Sequence, residues 1–171
     1  AAMPHFDRAL ELHPHFHLAH WHRGWALAEL GRFDEATDAL QAAVKLSQGA
    51  PQVLAALGQV YAAAGKRTEA RRILNELRQV AGDRYVSPYD LALIYVSMGE
   101  SPKALASLTR ALEQRVPAMA RLPLHPALDP LREDSRFKQL LEDLNLVRST
   151  PRPRPERKFV LDPMTRKKRP K

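Results

Sequence analysis

Residues 17–50, 51–84 and 85–118 align with one another without gaps, at a period of 34. Leu30-Gly31 falls on Ala64-Gly65 and on Met98-Gly99. Ala36 aligns with Ala70 and Ala104, Leu40 with Leu74 and Leu108, and Ala43 with Leu77 and Ala111. Leu27 aligns with Tyr61 and Tyr95, and Gly24 with Gly58 and Ala92. A period of this size makes each unit one supersecondary element. Such a unit cannot bury its apolar face alone and must stack on its neighbours.

The physics inside one unit is legible. Gln52 to Ala64 is an Ala-rich amphipathic stretch, which predicts a first helix. Gly65 then supplies a backbone position open to positive φ or close approach. Lys66-Arg67-Thr68-Glu69 restarts the chain, with an acid near a helix N-terminus. Ala70, Leu74 and Leu77 recur at helical spacing on a second helix. The small residues at 36, 70 and 104 let two antiparallel helices approach closely. Pro102 sits near the start of the third unit's second helix, where a missing N–H costs little.

These residues resemble the tetratricopeptide repeat family over about residues 1–118. The resemblance implies an all-α, right-handed superhelical solenoid of antiparallel helix pairs, closed by a C-terminal capping helix. The family's Trp-like position of the first helix is here His20, Leu54 and Pro88. Its terminal Pro is replaced by Gln48 in unit one and by Ala81-Gly82 in unit two. The register also runs backwards, through Ala2, Phe6, Ala9 and Pro14. Residues 1–16 are therefore expected to be the second helix of a truncated repeat, and the chain a fragment or one that has lost upstream neighbours. Residues 17–118 are expected to hold three 34-residue units.

Beyond 118 the register fails at Pro117, Pro123, Pro126 and Pro130. The run Asp134 to Leu144 then reads as one amphipathic helix, with Phe137, Leu140, Leu141 and Leu144 on one face. Residues 119–147 are expected to form a helical cap. The runs Ser87-Pro88-Tyr89-Asp90-Leu91-Ala92 and Asp129 to Phe137 also resemble the C-terminal repeat arrays of some bacterial signalling proteins. That second resemblance implies the sensory or scaffold region of a larger kinase, cyclase or transcription regulator.

In a solenoid of this kind the first helices line the concave face. Register places Trp21, Trp25 and Glu29 there from unit one, Gln52 and Gln59 from unit two, and Val86, Tyr89, Asp90 and Leu93 from unit three. Trp21 and Trp25 are four apart and share one helix face. Aromatic anchors in a groove suit peptide recognition, centred here on Trp25, Gln59 and Tyr89. The competing reading packs the same rings against neighbouring repeats. Some family members clamp a C-terminal carboxylate with Lys, Asn and Arg. The matching positions here, Trp21, Trp25, Ala56, Val86 and Asp90, do not fit that pattern. The expectation is a non-enzymatic scaffold for a peptide or partner helix.

The formal net charge of +8 has one source. Residues 148–171 carry ten basic residues against two acids, and five of the fourteen prolines. Residues 1–147 are neutral, so a basic solenoid gripping nucleic acid is not supported. The tail's composition cannot bury enough apolar area to offset ordering, which predicts disorder. Its Arg152, Arg154, Arg157, Lys158, Arg166, Lys167, Lys168 and Arg169 admit contact with nucleic acid, with an anionic membrane or acidic protein, or with solvent alone. An accessory nucleic-acid or acidic-protein contact is the reading favoured here.

Six of the seven histidines fall within residues 5–22, yet Pro14 splits them and no ligand spacing completes a metal site. No metal or cofactor is expected. The chain has no Cys, which excludes disulfides and thiol catalysis. No G-x-S-x-G elbow, Walker loop, H-E-x-x-H or G-x-G-x-x-G is present. No apolar stretch reaches the ~20 residues of a membrane span, and a cytoplasmic location is expected. The exposed first helix leaves self-association open.

Overall fold

The computed structural model describes residues 3–144, and within them the chain is all-α. Helix α1 is Met3–Leu12, α2 His17–Glu29, α3 Phe33–Leu46, α4 Pro51–Ala63, α5 Arg67–Val80, α6 Pro88–Ser97 and α7 Ser101–Glu113. Two 3₁₀ segments follow, Pro117–Leu124 and Pro126–Leu131, then α8, Ser135–Asp143. Helices α2 and α3, α4 and α5, and α6 and α7 pair as antiparallel hairpins. Stacking runs through α3 against α4 and α4 against α6. The result is a solenoid of helix pairs.

Each hairpin closes in the same way. Gly31, Gly65 and Gly99 take φ of 74°, 76° and 73°. The backbone N–H groups of Arg32, Lys66 and Glu100 reach back to the carbonyls of Leu27, Tyr61 and Tyr95 at 2.9, 2.9 and 2.8 Å. That bond spans five residues and satisfies a carbonyl the helix end would otherwise orphan. Side chains tie adjacent units. Lys66 Nζ donates to Asp34 Oδ1 at 2.8 Å, and Arg78 donates to the Tyr95 hydroxyl at 2.9 Å.

The core follows the repeat register. Ala36, Ala70 and Ala104 are each fully buried, as are Leu27, Leu40, Leu77 and Leu108. Close approach is tight at Gly24, where an added Cβ would lie 2.7 Å from Leu40 Cγ, and at Gly58, where it would lie 2.8 Å from Ile73 Cγ2 and 3.0 Å from Ile94 Cδ1. Their counterpart in the third unit is Ala92, also fully buried.

Two local departures from the register matter for function. Helix α6 starts at Pro88 rather than at the head of its unit. Ser87 is its N-cap, with Oγ accepting from the Asp90 N–H at 3.5 Å. The residue before a proline avoids helical backbone, so Ser87-Pro88 delays the helix. Secondly, α7 ends at Glu113, and Arg115 takes φ 52° just beyond it. The last residues assigned by register to unit three thus belong to the turn and the first 3₁₀ segment. Of the cap, α8 is N-capped by Asp134, whose Oδ1 accepts from the Arg136 N–H at 2.9 Å. Met119, Leu122, Leu128, Leu131, Phe137 and Leu140 are the cap's buried apolar residues.

Candidate functional site

The first helices present their outer residues to the concave side, and the first 3₁₀ segment closes that side beyond α6. Between them lies a cleft of about 550 Å³. From α2 it is lined by Trp21, His22, Trp25 and Glu29, from α4 by Gln52, Ala55, Ala56 and Gln59, and from α6 by Tyr89, Asp90 and Leu93. The fourth wall is Ala118, Arg121, His125 and Pro126. The cleft thus joins Trp21, Trp25, Glu29, Gln52, Gln59, Tyr89, Asp90 and Leu93. Val86 is not among the lining residues. It precedes the Ser87 cap, off the helix, and packs half-buried against the core.

Burial divides the lining. Trp25 is half-buried, Gln52 and Glu29 are exposed, and Tyr89, Leu93 and Gln59 are buried. Tyr89, 3% exposed, meets the His125 ring edge-on at 6.2 Å. It is therefore a wall and not a protruding anchor. The Tyr89 hydroxyl and Trp21 Nε1 are buried without a hydrogen-bond partner among the described residues. Native structures satisfy most such groups, so these two are unmatched polar atoms enclosed behind the cleft's aromatic lining.

The electrostatics concentrate on Asp90. Burial raises its carboxyl to about 6, with the Arg121 guanidinium opposing the rise. No ion pair within 4.0 Å involves Asp90 among the described residues. Burial also raises Tyr89, reinforced by the Asp90 charge, and lowers His125, reinforced by Arg121. His125 Nδ1 accepts from the Ala127 N–H at 3.3 Å. The neutral ring therefore carries its proton on Nε2.

The histidine-rich start has a packing role. The His22 ring stacks on Trp21 at 5.6 Å and on Phe6 of α1 at 6.2 Å. His20 Nε2 lies 2.9 Å from the Pro14 carbonyl oxygen. Among the described residues no cluster of three His, Asp or Glu side chains has a geometry that could hold a metal ion. None of their helices is long and apolar enough to cross a membrane. Of the cap assigned to 119–147, residues 145–147 lie outside the described residues, as do Arg152, Arg154, Arg157, Lys158, Arg166, Lys167, Lys168 and Arg169.

Register reasoning missed Arg121, His125, Ala118 and Pro126. These residues sit in a proline-broken stretch with no helical period, and nothing local points them at the groove. Two family models described as tetratricopeptide repeat match the chain, over residues 1–51 and 27–87. Together they cover just over half of it. No curated protein and no solved structure matches the chain.

Proposed function

From a chain that belongs to the tetratricopeptide repeat family, we propose a module that binds a peptide or partner helix in its concave groove and performs no catalysis. Repeats of this family generally mediate protein–protein interaction. The observation that carries the reading is the joining of Trp21, Trp25, Gln52 and Gln59 in one cleft. Indole faces supply contact area at low entropic cost, and the two amides match the donors and acceptors of a bound backbone. The 550 Å³ of the cleft fits a few side chains of a ligand rather than a whole domain.

Peptides selected from a displayed library against the full chain test this reading. Trp25→Ala should weaken the selected peptides by tenfold or more, about 1.4 kcal/mol, with unchanged circular dichroism. Binding by Trp25→Ala and Gln59→Ala that equals the parent for every peptide sinks it. A second reading makes the same module the sensory or scaffold region of a larger cytoplasmic kinase, cyclase or transcription regulator. It is favoured by α1, which buries none of its residues and so offers a face to a further repeat. A coding sequence that runs upstream of Ala1 into no such domain removes that reading.

A further inference from the structure

We propose that the concave cleft takes the chain's own Arg152-Pro153-Arg154-Pro155 segment, with an arginine set against Asp90 and the prolines lying on Trp21 and Trp25. The proposal rests on the groove-binding reading and names an occupant for it.

Four observations converge. First, the cleft has the chemistry that proline-rich segments are bound by. Two indoles four residues apart share one helix face and line the cleft. Aromatic-lined grooves recognise a polyproline II segment, whose preformed helix loses little entropy on binding. Arginine also stacks on indole faces. Second, Asp90 is a desolvated carboxylate with no ion pair within 4.0 Å among the described residues. Burial holds it at about 6, and an arriving guanidinium would offset part of that desolvation.

Third, the charges complement. The tail carries ten basic residues against two acids, on a body that is neutral. Sharing the cleft with Asp90 are Arg121 and His125 from the cap side, and Glu29 and His22 from α2. His125 is held neutral by burial, and Arg121 is exposed, so its head can turn to water while Glu29 adds to the attraction. Fourth, the segment reaches. Residues 145–171 follow the described fold. Arg152 to Pro155 lie 8 to 11 residues beyond Leu144, a fully extended reach of roughly 26–40 Å, against a radius of gyration of about 14 Å for a domain of this size. A tethered segment acts at millimolar effective concentration, so even a weak contact is populated. An external partner of the groove then competes with the tail.

Trp21 and Trp25 are the protein's only two tryptophans, so intrinsic fluorescence reads the cleft directly. The comparison is the full chain against a full chain carrying Arg152→Ala, Arg154→Ala, Arg157→Ala and Lys158→Ala. The parent's emission should lie to the blue and shift as salt rises from about 50 to about 500 mM, while the variant's should not. A synthetic peptide of residues 148–158, titrated into the variant, should shift the emission back with saturation. Adding Asp90→Asn to the variant should weaken that peptide about tenfold or more, with circular dichroism reporting that the fold is kept. Superimposable parent and variant spectra, an inert peptide, or equal binding by a scrambled peptide each overturn the proposal. Capture of duplex DNA by the parent with no change in emission also overturns it and places the tail on nucleic acid. If the tail peptide is inert but library peptides still depend on Trp25, the groove reading stands and only the tail docking falls.

Discussion

The described fold begins and ends on short amphipathic helices of similar length, and the two fare differently. Helix α1 has ten residues and buries none of them; Leu12 remains 60% exposed. Helix α8 has nine residues and buries Phe137 completely and Leu140 to 5% exposure. The pattern of apolar residues is comparable. What differs is the cradle. Helix α8 lies on α7 beside two 3₁₀ segments whose Met119, Leu122, Leu128 and Leu131 are buried, whereas α1 packs chiefly on α2. An amphipathic pattern therefore states what a helix can bury, and the neighbours decide whether it does.

The largest test of this contrast is Phe137→Ala against Phe6→Ala. The first should lose about 3–5 kcal/mol of stability in urea unfolding, and the second less than about 1 kcal/mol. Equal losses would break the comparison. Between the two ends, Gly58→Ala should cost about 1–3 kcal/mol, because its Cβ meets Ile73 and Ile94. A neutral result there would mean that the central units are looser than the packing at Gly58 requires.

Asp90 sharpens what the cap does to the groove. Its folded carboxyl titrates at about 6 instead of 3.8. Between those values the unfolded chain has released a proton that the folded chain still holds, so stability falls as pH rises through the window and is level above it. In the chain with neutralised tail arginines, Asp90→Asn should raise stability at pH 7 by up to about 3 kcal/mol. The gain should vanish at pH 4. A gain independent of pH would show that burial of the carboxylate is not its origin. The smallest effects concern backbone strain. Gln48 and Arg115 hold φ of 53° and 52° on opposite sides of the central units. Gln48→Gly and Arg115→Gly should each stabilise by about 1 kcal/mol. Equal gains would confine the asymmetry of the two ends to burial.

The solenoid was legible because its signals are local. Gly31, Gly65 and Gly99 sit where a helix must stop on a positive φ, and Ala36, Ala70 and Ala104 sit where two helices nearly touch. The helix of the cap was legible from the spacing of Phe137, Leu140, Leu141 and Leu144. Its 3₁₀ segments were not, since Pro117, Pro123, Pro126 and Pro130 erase any period and leave only composition. Arg121 and His125 reach the groove through that unreadable stretch, so the fourth wall of the cleft was invisible. The misplacement of Val86 was avoidable. Ser87-Pro88 is a helix-start signal, and an unbroken 34-residue register overrode it.

The unburied face of α1 has a mechanical consequence. Pulled by its two ends, a stack of near-identical hairpins yields first at a terminal helix that holds no fully buried residue, and here that helix is α1. Extension should peel α1 away at low force and then open hairpin after hairpin as a travelling front, with the Phe137 end last to yield. The cleft's indoles ride on the hairpin next to that front. Tension on the chain would thus empty the groove before it unfolds the rest of the molecule.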